Sequence, residues 1–148
     1  TIDTCGKLHE RARKEFVATY RHVEMPAKNE WFIGAWFELP NGSAAEAELT
    51  IKNLLAKRLA TQPLNLPNAG STFRNPEGDY AARLIEACGL KGHQIGGAQV
   101  SEKHANFIVT LPGATAADVE QTIALMRDTV KEKFGIELQQ EVRVIGEK

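Results

Sequence analysis

The sequence predicts an α+β fold: a small domain of mixed strands and about three helices, behind some forty residues that belong to a different unit. Three observations carry this. Apolar residues recur at helical spacing in three stretches, each with a start or stop signal. Strand-like runs lie between and after them, and the order helix, strand, helix, strand contains no repeat.

The elements follow in chain order. Residues 1–25 suggest short strands joined at Cys5-Gly6-Lys7, then a polar stretch ending in Thr19-Tyr20-Arg21-His22. Trp31 to Leu39 is aromatic or apolar at nearly every position, the pattern of a strand covered on both faces, and Pro40-Asn41-Gly42 ends it. Ser43 and Glu46 form a capping-box pattern opening a helix with Ile51, Leu54, Leu55 and Leu59 on one face and Lys52, Lys57 and Arg58 on its flank. Residues 61–78 hold three prolines, two glycines and three asparagines, so a loop is expected there. Tyr80, Ala81, Leu84, Ile85 and Cys88 form the stripe of a short helix that Gly89 stops. After a glycine-punctuated stretch to Gly97, Ala98–Val100 and Phe107–Leu111 read as strands. Thr115 and Asp118 start a last helix with the stripe Val119, Ile123, Met126 and Val130, and Gly135 ends it. From Glu137 to Ile145 residues alternate, which turns Leu138, Val142 and Val144 inward and puts Glu141 and Arg143 on the opposite face.

Composition narrows the function classes. The chain has 148 residues, 43% hydrophobic and 25% charged, with a formal net charge of -1. That balance argues against coating nucleic acid, and aromatic–basic interleaving is lacking. No apolar run approaches the ~18–20 residues that cross a bilayer. Cys5 and Cys88 lie far apart and match neither a disulfide framework nor a zinc site, so a reducing, cytoplasmic setting is expected. His9, His22, His93 and His104 show no metal-ligand spacing, and no metal is expected. The chain opens at Thr1 on structured sequence, and the expectation is a cut inside a larger protein.

Asn68 to Pro76 (NAGSTFRNP) is the stretch richest in chemistry. Gly70 permits a sharp turn, Ser71 follows it with little neighbouring bulk, Arg74 offers a planar five-donor fork, and Asn75 can donate and accept. A nucleophile elbow is excluded, because Phe73 stands where its second glycine belongs. A phosphate loop at Gly89–Gly97 is excluded too, because no Gly-Lys-Ser/Thr closes it.

Three blocks, NAGSTFRNP (68–76), LKGHQIGGAQVSEKHANFIV (90–109) and KFGIELQQEVRVIG (133–146), resemble successive signatures of the UDP-N-acetylenolpyruvoylglucosamine reductase family. The Tyr20-Arg21 segment and the aromatic run after it are similar to the end of that family's flavin-binding domain. The resemblance implies that residues 1–42 close a truncated FAD-binding domain and that residues 43–148 form the C-terminal substrate-binding domain. It implies an oxidoreductase that uses FAD and NADPH to reduce UDP-N-acetylglucosamine enolpyruvate to UDP-N-acetylmuramate for the peptidoglycan cell wall. By the same resemblance Ser71 is the proton donor, while Arg21 and Glu141 hold and polarise the substrate carboxylate or its enolic intermediate. Tyr20, Arg74, Asn75, Lys103 and His104 resemble positions around the nucleotide-sugar and its diphosphate; Lys57 and Arg58 read either as added positive potential or as a solvated helix face. Gln140 departs mildly from the proline often found before the glutamate. The flavin region lies mostly upstream in this family, so the chain by itself is expected to be inactive, with that region its missing partner. A non-catalytic sugar-nucleotide-binding module derived from the fold is the other reading; joint retention of Arg21, Ser71 and Glu141 favours the enzyme.

Overall fold

A computed structural model of the chain describes residues 1–146 and divides it into two units, Thr1–Ser43 and Ala44–Lys148.

In the first unit, β1 (Ile2–Asp3) pairs antiparallel with β4 (Glu30–Trp31), and β2 (Val17–Thr19) with β3 (His22–Glu24). The chain folds back after β1 through a turn in which Gly6 takes a left-handed conformation and its N–H meets the Asp3 carbonyl at 3.1 Å. The β2–β3 hairpin goes beyond the polar stretch expected from sequence: Thr19 faces His22, so Tyr20-Arg21 is a two-residue turn.

Glu30 is the buried charge of this unit, and Arg11 reaches both its oxygens, Nε at 3.1 Å, while the Thr1 hydroxyl donates at 2.6 Å. The Arg11 guanidinium, helped by that hydroxyl, holds the carboxyl down at about 2, against an ordinary 4.5. Since the folded value is depressed, the carboxylate's stabilising contribution is complete above pH 4.5 and disappears as pH falls toward 2. A carboxyl-carbon NMR titration of the chain is expected to give Glu30 a midpoint near 2, rising in Arg11→Met; an ordinary carboxylate midpoint in the unmutated chain would refute the pairing.

The aromatic stretch corrects the sequence reading. Only Glu30–Trp31 forms a strand, no regular structure follows as far as Ser43, and Trp36 is 97% exposed. A strand covered on both faces needs ladder partners and two covering layers, and the described residues supply a two-residue pairing alone.

In the second unit, α1 (Ala44–Thr61) begins directly after Ser43, at the start the sequence pattern indicates. Its stripe is not buried, however: Ile51, Leu54, Leu55 and Leu59 all remain exposed. Helical spacing states that a face needs cover; it does not supply the cover.

The remainder is a packed α+β body. Four antiparallel strands lie in the order β5–β8–β7–β6, namely β5 (Asn68–Ser71), β6 (Gln94–Ile95), β7 (Ala98–Val100) and β8 (Phe107–Thr110). α3 (Ala116–Phe134) packs on strands β6 to β8, and α2 (Ala81–Ala87) packs on α3. Phe73, Leu84, Ile85, Val100, Met126 and Val130 form the heart of the core.

Local signals hold here. Thr115 and Asp118 cap α3 reciprocally, and Gly135 ends it in the left-handed region. At α2, Leu90 N–H bonds the Ile85 carbonyl and Gly89 N–H the Glu86 carbonyl, the paired bonds that left-handed Gly89 permits. Gly96-Gly97 turns the β6–β7 hairpin where a Cβ on Gly97 would lie 2.4 Å from the Ala114 backbone. Three details differ. Tyr80 caps α2 and is exposed rather than part of its stripe, because the helix starts one residue later. Residues 61–78 are not all loop, since β5 lies among them. Glu137–Ile145 forms no strand; Gln140 alone bridges to Phe73, Leu138 is buried, and Val144 is exposed, since among the described residues the backbone pairing ends at Val142.

Candidate functional site

The site is built around the end of β5. Asn68 faces Val109 of β8, but Ser71 faces Phe107, so β5 carries one extra residue between them. Gly70 absorbs that bulge with φ +79, a conformation a side chain would strain, and its N–H bonds Asn68 Oδ1 at 2.9 Å. The bulge re-aims the chain, leaving Ser71 half-buried and Thr72 and Phe73 fully buried.

Beyond Ser71 the backbone is gripped from two sides. On one, Thr72 N–H bonds the Asn106 carbonyl at 2.8 Å, and the Asn106 side chain bonds Phe73. On the other, Arg74 N–H bonds the Gln139 carbonyl at 2.9 Å and Glu141 N–H bonds the Thr72 carbonyl at 2.8 Å. Glu141 thus lies on the segment paired directly beside the one carrying Ser71, and it is half-buried.

Of the residues singled out from the sequence, Arg74 and Glu141 therefore lie on one backbone ladder, and Ser71 and Asn75 flank it along the chain. Arg74 Nε is the buried side-chain nitrogen or oxygen among the described residues that lacks a hydrogen-bond partner. A buried donor left unbonded costs roughly 1–3 kcal/mol, which an anionic ligand would recover. Asn75 supports the fold as well, because its Oδ1 accepts Ala81 N–H at 3.1 Å and so covers a free donor at the start of α2.

Lys103 and His104 occupy the turn before β8. Lys103 is exposed and donates to the Leu59 carbonyl at the end of α1, at 3.1 Å. His104 packs edge-on against Phe107, with ring centroids 4.8 Å apart, and its Nδ1 accepts Asn106 N–H at 3.3 Å. Burial pushes this imidazole below its ordinary value, so at neutral pH it is uncharged and carries its proton on Nε2. Lys57 and Arg58 lie on exposed α1.

Tyr20 and Arg21 belong to the other unit, at the tip of the β2–β3 hairpin. Arg21 has φ +59, an uncommon conformation for a residue with a side chain, and its guanidinium lies 5.8 Å from the Tyr20 ring centre. The same unit holds an open groove of about 1070 Å³, walled by Phe16, Phe32, Trp36 and Phe37 with Arg11 and Arg13 among its polar residues.

Sequence reasoning missed Asn106. It is a lone amide before an apolar run, and nothing in its spacing points to Phe73, thirty-three residues earlier.

The family model for the UDP-N-acetylenolpyruvoylglucosamine reductase C-terminal domain matches residues 62–145. A UDP-N-acetylenolpyruvoylglucosamine reductase of Thiobacillus denitrificans is 56% identical over 149 residues, covering 100% of this chain and 46% of its own length. Those of Nitrosospira multiformis and Legionella pneumophila are 53% and 52% identical, each over 99% of the chain and 48% of its own length. The crystal structure of the Thermus caldophilus enzyme superposes with a TM-score of 0.56 at 34% identity, over 70% of this chain and 37% of that one. The chain spans about half the length of the curated relatives it matches.

Proposed function

Because the chain belongs to the UDP-N-acetylenolpyruvoylglucosamine reductase family and carries its C-terminal domain, we propose that it is the substrate-binding part of an FAD- and NADPH-dependent reductase making UDP-N-acetylmuramate for peptidoglycan. Residues 1–42 are assigned to the end of the flavin-binding domain and residues 43–148 to the substrate domain. The observation that supports the reading is the backbone pairing of Thr72–Arg74 with Gln139–Glu141, which sets the segment carrying Ser71 and Arg74 beside the one carrying Glu141. A non-catalytic module would have no use for that combination.

The chemistry follows from charge. Reduction adds a hydride to one carbon of the enolpyruvyl double bond and a proton to the other. The hydride's electron pair builds negative charge toward the substrate carboxylate, where Arg21 and Glu141 would hold and polarise the carboxylate or its enolic form. Ser71 then gives its hydroxyl proton to the basic carbon, and the alkoxide recovers one from water. Arg74 supplies a fork for an anionic oxygen of the sugar nucleotide, and Tyr20, Asn75, Lys103 and His104 complete the polar surround. Neutral His104 donates from Nε2 without needing a charge.

FAD, when bound, supplies the hydride. The aromatic groove of the first unit suits a flat apolar ring, and of its two arginines Arg11 is committed to Glu30 and Glu15. The rest of the cradle is assigned to the half of the relatives' length that the chain does not span. Exposed Trp36, Phe37 and the α1 stripe are faces that half would cover. The free thiols Cys5 and Cys88 suit a reducing cytoplasm, and no helix among the described residues is long and apolar enough to cross a membrane.

The test compares two proteins. The full-length reductase is expected to be yellow and to oxidise NADPH only when the enolpyruvyl sugar nucleotide is present. The 148-residue chain is expected to be colourless and inactive. Failure of the full-length protein to reduce that substrate would refute the function, and equimolar flavin on the chain alone would refute the division of labour.

A further inference from the structure

Asn106 is 3% exposed, and its carboxamide closes on both backbone groups of a single distant residue. Oδ1 accepts Phe73 N–H at 3.0 Å, and Nδ2 donates to the Phe73 carbonyl at 2.8 Å. Its own carbonyl accepts Thr72 N–H at 2.8 Å. These three bonds begin where the regular ladder stops, since the last β5–β8 pair is Ser71 with Phe107. The side chain thus takes over from the strand, holding the segment after the bulge against the residue 139–141 segment on its far side.

We propose that Asn106 is a positioning residue for the proton-transfer step: its carboxamide fixes the Thr72–Phe73 backbone and thereby the position of the Ser71 hydroxyl that precedes it. This rests on the reading of Ser71 as proton donor.

The chemistry of the clamp is specific. Phe73 is 1% exposed, so water cannot replace either bond. One partner must accept and the other donate, which a primary amide does and a carboxylate does not. An aspartate there would still accept from Phe73 N–H but would set a negative oxygen against the Phe73 carbonyl. Protonating it would restore the donor, and burial beside a carbonyl raises the pH at which that happens.

Asn106→Asp in the full-length reductase is therefore a titratable version of the clamp. At alkaline pH, flavin re-oxidation by the enolpyruvyl substrate should fall by up to ~10²-fold, the effect of misplacing a reacting group by about an ångström. The ratio of mutant to wild-type rate should climb back as pH is lowered, while flavin reduction by NADPH stays nearly unchanged. Hydrogen exchange in the peptide containing Phe73 should quicken at alkaline pH and slow again on acidification. If the aspartate variant does not fold, Asn106→Ser carries the test, with re-oxidation alone slowed and exchange at Phe73 quickened. Re-oxidation at the wild-type rate, a pH-independent ratio for Asn106→Asp, or equal loss in both half-reactions would overturn the proposal. Ser71→Ala in the same assay separates the two ideas: wild-type re-oxidation there sinks the proton-donor reading itself, whatever Asn106 does.

Discussion

Ser71→Ala in the full-length reductase is expected to slow re-oxidation of the reduced flavin by the enolpyruvyl substrate by ~10²–10⁴-fold, the usual contribution of a general acid. Flavin reduction by NADPH should continue nearly unchanged, because the nicotinamide and flavin carry that chemistry themselves. The asymmetry arises because only the second half-reaction needs a proton delivered to carbon, and alanine has none to give. Substrate binding should weaken far less, since one hydroxyl is a small part of the contact surface of a nucleotide-sugar. Cysteine at the same position should recover part of the rate, its thiol being a stronger acid than an alcohol. Stopped-flow absorbance of the flavin, with each half-reaction followed separately, decides the matter. Equal slowing of both phases, or unchanged re-oxidation, would remove Ser71 from the role.

The parts of this fold that are legible in the sequence are those whose cause is local. The Thr115–Asp118 cap, the stop at Gly135 and the bonds around Gly89 depend on residues within one turn of each other. The buried stripe of α3 is visible for the same reason: Ile123, Met126 and Val130 share a face wherever a helix forms. β5 is hidden, because Asn68-Ala69-Gly70-Ser71 has the composition of a loop and becomes a strand only by pairing with β8. The Trp31–Leu39 run and the α1 stripe show the converse limit. Their apolarity records a demand for burial, and sequence alone does not name the surface that meets it. In the site, Arg74 and Glu141, named by the family resemblance, sit on one ladder with Ser71 next to it, but the side chain that grips the ladder carries no local signal. Asn106 and Phe73 meet through tertiary structure, and a polar residue before a strand looks the same whether its amide faces water or closes on a buried backbone.

Phe73→Ala is expected to be the most damaging substitution for the stability of the second unit. The ring is 1% exposed and belongs to the same core cluster as Leu84, Ile85, Met126 and Leu138, so its removal takes contacts from several elements at once. Truncating a buried phenylalanine costs ~3–5 kcal/mol, part from lost transfer energy and part from the cavity left behind. A domain holds only ~5–15 kcal/mol in total, so this loss is a large fraction of it. The site cannot collapse easily to fill the space, because the Phe73 backbone is tied to Asn106 on one side and its neighbours to Gln139 and Glu141 on the other. Urea unfolding followed by far-ultraviolet circular dichroism, which reports α2 and α3, should show the midpoint falling by roughly 1.5–2.5 M if m is ~2 kcal/mol/M. Phe73→Leu keeps most of the apolar volume and should recover the larger share, as near-conservative core exchanges cost less than ~1.5 kcal/mol. An alanine variant that melts with the wild-type chain would mean that the ring does not anchor the core, and that the Ser71 segment is held by its backbone bonds alone.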